Sequence, residues 1–182
     1  MNIGKLIVKL IDVAVMVATI VVIVLASITA IPPLFGVNPY FVKSGSMEPV
    51  IHVGALEFVD TKQKDLVVGD IATFRLMDED GLSDELVTHR VSKINGDGTY
   101  TLKGDANENE DFITYSQEQI VGRHIFSVPN LGYVFAALQG KVKTVIIVMV
   151  LGFNMINLMI QKAFDDEEED KKEEKTIEPT IE

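Results

Sequence analysis

Apolar positions in this chain are bunched rather than spread. Residues 13–31, VAVMVATIVVIVLASITAI, run for nineteen residues without a charge. A helix of that length rises about 28 Å at 1.5 Å per residue, close to the hydrocarbon thickness of a bilayer. Lys5 and Lys9 precede it, and Pro32-Pro33 close it, because proline cannot continue the helical hydrogen-bond ladder. A cleavable signal carries an apolar core of about 7–15 residues, so this longer run reads as a retained anchor, although Ile28-Thr29-Ala30 has the small-residue look of a cleavage site. A second apolar segment, TVIIVMVLGFNMINLMI, covers residues 144–160 and carries Asn154 and Asn157. Lys141, Lys143 and Lys162 flank it, where long cationic side chains reach back to an interface. It reads as a second span, the competing reading being a buried amphipathic helix. Two spans put both termini on one side, and Lys5 and Lys9 favour the cytoplasm while Lys141 and Lys143 count against it.

Between these segments, residues 34–140 make a block of 107 residues, enough for one compact domain. Short runs rich in β-branched and aromatic residues recur there, at residues 55–59, 71–76, 86–91, 100–102 and 120–128. Gly69-Asp70, Asp80-Gly81, Asn95-Gly96-Asp97-Gly98 and Lys103-Gly104-Asp105 separate them. The Asn95–Gly98 cluster predicts a hairpin, since Asn and Gly tolerate positive φ. No long helical period and no internal repeat interrupts the block. The fold class is mainly β.

Charge changes the picture in one place. The chain of 182 residues carries a net charge of −11, but residues 165–182, DDEEEDKKEEKTIEPTIE, hold ten acidic and three basic side chains and so supply −7 of it. That tail is low in apolar content and is expected to be disordered and solvated. A net negative charge argues against nucleic acid, which needs a basic face. Zero cysteines exclude disulfides, a thiolate zinc site and a cysteine nucleophile. Three histidines without an HExxH pattern argue against a metalloprotease, and neither a metal nor a cofactor is expected.

Candidate chemistry lies in Ser44-Gly45-Ser46-Met47-Glu48-Pro49, just after the first anchor. On its own Ser46 reads as a turn serine. With Thr88-His89-Arg90 in an expected strand and the acidic loop of residues 103–111, one β-domain holds a nucleophile, a base of near-neutral pKa and an orienting carboxylate. His52 is expected on the rim, and His124 as a surface or half-buried strand histidine. Lys43, Lys93 and Lys103 neighbour turns or charges, where burial cannot depress an amine into a base.

The order of these motifs resembles type I signal peptidases, in the serine–histidine branch shared by archaea, the endoplasmic reticulum and some Gram-positive bacteria. Ser44 to Pro49 resembles the nucleophile box, Val68-Gly69-Asp70-Ile71-Ala72-Thr73-Phe74-Arg75 the next strand box, Thr88-His89-Arg90-Val91 the base box, and Lys103 to Asp111 the acidic box. The resemblance covers about residues 5–133, ending at Val128-Pro129-Asn130-Leu131-Gly132-Tyr133. It departs at Ala55, where the family commonly has aspartate, and at Ala106, where asparagine is frequent.

The resemblance implies a signal-peptidase-like β-fold catalytic domain between N-terminal and C-terminal transmembrane helices. Ser46 is implied as nucleophile and His89 as general base. Asp111, six residues after Asp105, resembles the third member of the triad, and Asp105 an electrostatic supporter; both are kept as candidates. The Ser46 N–H and the Ser44 hydroxyl are the oxyanion-hole candidates. Arg90 is expected to pair with a nearby carboxylate. The implied activity is removal of N-terminal signal peptides from exported preproteins by a serine endopeptidase of the cell membrane, partnered by the bilayer and by the secretion translocon. The expected division is a cytoplasmic start and anchor at 1–33, an extracytoplasmic catalytic domain at 34–140, a second span at 141–164 and the acidic tail at 165–182. The alternatives are a non-catalytic membrane-anchored β-domain, or a related serine protease with other membrane substrates. The apolar residues 35–42, with Met47, Phe58 and Val59, suit either a membrane-dipping edge with shallow pockets or the core.

Overall fold

The computed structural model describes residues 3–177; residues 1–2 of the expected N-terminal segment and 178–182 of the acidic tail lie outside the described residues. The chain divides into a helical unit, built from both ends, and a β-unit over residues 27–139. Helix α1 spans Ile3–Ala30, helix α2 spans Leu131–Ala137 and helix α3 spans Lys141–Ile177. Two apolar stretches, Leu6–Phe35 and Thr144–Ala163, are long enough to cross a membrane and are not buried by protein. Within the helical unit, Asn154 Nδ2 donates to Thr19 Oγ1 at 2.9 Å. Such a bond between apolar helices is one means by which membrane helices associate without a hydrophobic drive.

Helix α3 runs on through the first part of the acidic segment to Ile177, a stretch rich in Glu and Lys, which are good helix formers.

The β-unit holds strands β1 (Val37–Phe41), β2 (Leu56–Asp60), β3 (Ile71–Asp78), β4 (Gly81–Ile94), β5 (Tyr100–Lys103), β6 (Thr114–Tyr115) and β7 (Ile120–Val128). Among the described residues they form one antiparallel sheet in the order β1-β2-β7-β3-β4-β5-β6. All five sequence-based strands are present. Pro39 lies inside β1, which an edge position permits because the missing N–H faces no partner. Strand β4 is longer than expected because residues 81–86, charged and turn-like in sequence, pair back onto residues 75–78 of β3. The Asn95–Gly98 turn closes β4 onto β5, with Gly98 at φ 83° and Asn95 N–H donating to Thr99 O at 2.8 Å. Asp97 Oδ1 accepts from the Thr99 N–H and hydroxyl, which holds its carboxyl below the ordinary value.

The main core gathers Leu66, Ala72, Phe74, Val91, Tyr100, Leu102, Tyr115 and Ile120. A smaller cluster of Met47, Ile51 and Ala55 lies behind the Ser46 turn. Ala55 is therefore a packing residue here, 1% exposed, where a carboxylate would need a partner. Met47, Phe58 and Val59 also resolve as core, whereas Leu34 and Phe35 are exposed in a short 3-10 turn, Pro32–Phe35, just after the first apolar helix. Helix α2 seats against the first two strands through Gly132, whose N–H donates to Gly54 O at 3.0 Å. A Cβ at Gly132 would fall 2.3 Å from Ala55 O, so no larger residue fits this contact.

Candidate active site

His89 sits in β4 opposite Ala72, with only 9% of its side chain exposed. Its Nδ1 lies 2.8 Å from Asp111 Oδ2. With Nδ1–H donating to that carboxylate, Nε2 keeps a free lone pair, the state a general base requires. Asp111 also accepts from the Tyr115 hydroxyl at 3.2 Å. Its own N–H donates to Leu102 O at 2.8 Å, pinning the end of the acidic loop to β5. Burial first, and then Asp111, push the Tyr115 phenol well above its ordinary pKa.

Asp105 takes a different partner. Arg90 Nε donates to Asp105 Oδ1 at 2.8 Å and Nη2 to Oδ2 at 2.6 Å, a two-pronged pair that Arg geometry favours. Arg90 Nη1 donates to Gly69 O at 2.8 Å. The hydrogen bond to Asp105 raises the Arg90 pKa further against the opposing effect of burial. So the two candidate aspartates, six residues apart, face adjacent residues of β4 that alternate across the sheet.

Ser46 belongs to the turn between β1 and β2. That turn is closed by Glu48 N–H to Gly45 O at 3.0 Å and Ile51 N–H to Met47 O at 2.9 Å, and Met47 anchors it in the small core. Ser46 O accepts from Ala106 N–H at 2.9 Å, which ties the turn to the acidic loop. The Ala106 departure therefore acts through its backbone, and its side chain is exposed. Arg90 pairs with Lys103, so Gly104 comes level with His89. A Cβ on Gly104 would lie 2.6 Å from Ser46 O. The Ser46 turn and the His89 strand thus border the same glycine. Among the described residues no hydrogen bond joins Ser46 to His89 directly; Ser46 Oγ lies 3.4 Å from Ser44 Oγ.

Ser44 and Ser46 open onto a cleft of about 830 Å³ between β1 and the 84–88 stretch of β4. Its floor holds residues that sequence reasoning missed: Glu57, Thr73 and Thr88. The available signal was a glutamate amid the apolar run ALEFV. His124 pairs with that Glu57 at 3.1 Å, and exposed His52 lies 3.9 Å from Glu48, so neither joins Ser46.

Signal peptidase I W of Bacillus subtilis (strain 168) is 36% identical to this chain over 121 residues, covering 63% of this chain and 61% of that protein. Catalytic subunits of the signal peptidase complex from Homo sapiens and Mus musculus are each 35% identical over 105 residues, covering 51% of this chain and 53% of theirs. This chain resembles type I signal peptidases. It spans about half to three-fifths of the length of these curated relatives. No protein-family model matches it.

Proposed function

We propose that the chain is a membrane-anchored serine endopeptidase that removes signal peptides from exported preproteins. The observation that carries this reading is the 2.8 Å bond from His89 to Asp111, in a loop that also binds the Ser46 turn, in a chain similar to signal peptidases of two kingdoms of life. Ser46 Oγ attacks the scissile carbonyl carbon while His89 Nε2 takes its proton. The same proton passes to the leaving amine as the C–N bond breaks, leaving an acyl ester on Ser46. Water, deprotonated by His89, then cleaves the ester and frees the signal peptide.

Asp111 orients the imidazole and stabilises its charged form, and Tyr115 steadies Asp111. Asp105 supports the loop through Arg90. The Ser46 N–H and Ser44 hydroxyl are the donors for the developing oxyanion, each worth about 2.7–4 kcal/mol in comparable sites. The two apolar helices anchor the chain in the cell membrane, with the β-unit outside the cytoplasm, where a preprotein emerging from the translocon meets it at raised effective concentration. An extended substrate adds along the cleft as a strand, so backbone hydrogen bonds supply affinity with little sequence demand.

The test is cleavage of a preprotein by membranes carrying Ser46→Ala or His89→Ala, read by mass spectrometry of the new N-terminus. Both variants are expected to leave the preprotein intact. Full cleavage by either one sinks the mechanism.

A further inference from the structure

Ser46 is carried on a loop with a narrow neck. Strands β1 and β2 end their pairing at Phe41 and Leu56, and two bonds beyond them close the loop. Val42 N–H donates to Ala55 O at 3.0 Å, and Gly54 N–H donates to Val42 O at 2.9 Å. Gly54 has φ 83°, in the left-handed region that glycine enters without strain. A bare glycine at such a neck is a hinge, and a swing there passes along the loop to Ser46.

Two neighbours from α2 occupy that hinge. Gly132 N–H donates to Gly54 O at 3.0 Å. The Tyr133 ring lies where a side chain on Gly54 would be, since a Cβ built there falls 2.1 Å from Tyr133 Cε2 and 2.5 Å from Cζ. Phe41 meets the same ring edge to face, with centroids 5.5 Å apart and planes at 63°, a geometry aromatic pairs favour. Tyr133 therefore touches both arms of the neck. It is 54% exposed, and among the described residues its hydroxyl makes no hydrogen bond, so neither burial nor polarity accounts for an aromatic side chain here. What the ring does is fill the space that the glycine leaves empty.

We propose that Tyr133 is a positioning residue for the reaction, its ring fixing the Gly54 hinge and with it the placement of the Ser46 turn. The effect on rate rests on the peptidase reading above, whereas the hold on the neck does not. A displacement of about 1 Å at a reacting group costs on the order of 100-fold in rate. Contacts that bind substrate equally before and during reaction are untouched by such a shift, so the loss falls on kcat and not on KM.

The experiment uses the full chain in detergent micelles with a peptide spanning a signal-sequence cleavage region, and hydrogen exchange of the same samples is read by mass spectrometry. Tyr133→Leu removes the ring and Tyr133→Phe only the hydroxyl; Tyr133→Gln takes the place of Tyr133→Leu where that variant fails to fold. Tyr133→Leu is expected to lower kcat by about 10- to 100-fold with KM within about threefold. Tyr133→Phe is expected to keep both within about twofold. Amides of residues 42–55 are expected to exchange about tenfold faster in Tyr133→Leu, while those of residues 93–101, around the β4–β5 turn, keep their rates. Unchanged exchange over 42–55, unchanged kcat, a loss confined to KM, or a Tyr133→Phe that behaves as Tyr133→Leu overturns the proposal and leaves the peptidase reading standing. Equal acceleration in both segments marks a loss of overall stability and overturns it too. If the unmodified chain cleaves nothing while 42–55 alone loosens in Tyr133→Leu, the peptidase reading falls and the ring's hold on the neck stands. Neither cleavage nor loosening overturns both.

Discussion

Asp111 and Asp105 have the same side chain in the same loop, yet their partners give them different work. Asp111 faces His89 and Tyr115, whereas Asp105 is engaged by two nitrogens of Arg90. Asp111→Asn removes the charge that favours imidazolium and allows the wrong tautomer, so kcat is expected to fall on the order of 10²–10⁴-fold with little change in KM. Asp105→Asn is expected to keep kcat within about threefold and to lower stability by about 1 kcal/mol, since the Arg90 side chain is partly open to solvent. Steady-state kinetics and thermal melting of both variants check the pair. Tyr115 makes a pH-dependent contribution. Its phenol ionises later in the folded chain than in the unfolded one, so its stabilisation is full below about pH 10 and is lost as pH rises through that value toward the folded pKa. Tyr115→Phe is expected to show a shallower fall in melting temperature between pH 9 and 11, measured at intervals across that range.

At the level of elements, the site depends on how closely one loop approaches one turn. Ser46 O, Gly104 and Ala106 N–H meet main chain to main chain. Gly104→Ala would set a Cβ 2.6 Å from Ser46 O, an atom that moves only if the Ser46 turn moves with it. A displacement of about 1 Å at a reacting group costs on the order of 100-fold in rate, so kcat is expected to drop by about that factor in Gly104→Ala. Gly96→Ala, with nothing within 4 Å of its Cβ, serves as the control and is expected to keep full activity. Equal kcat for the two variants would argue that the approach is not needed for catalysis.

For the whole molecule, the apolar stretches Leu6–Phe35 and Thr144–Ala163 have none of their most apolar windows buried by protein and are long and apolar enough to cross a membrane. The full chain is expected to stay with membranes through an alkaline carbonate wash and to be released by detergent, read by blotting pellet and supernatant. Release by the wash alone would overturn the two-span reading.

Local patterns by themselves determined a good deal. Charge-free length marks both apolar helices, and β-branched runs bounded by glycine mark five strands, with residues 120–128 matching β7 end to end. Each of these signals acts over a few residues, through helix rise, side-chain alternation or the φ freedom of glycine. Serine, histidine and the acidic loop were also legible, because their order along the chain is itself the motif. Strand β1 was not legible, since Pro39 argues against a strand until an edge position excuses it. The family resemblance favoured Asp111, yet only the tertiary structure decided which aspartate faces His89, since adjacent residues of β4 point to opposite faces and draw different partners. It alone also decided that Glu57 is buried against Thr73, Thr88 and His124, because that contact joins four strands separated by up to 67 residues. Long-range pairing is a property of the sheet's register, and register is set by the packing of the whole domain.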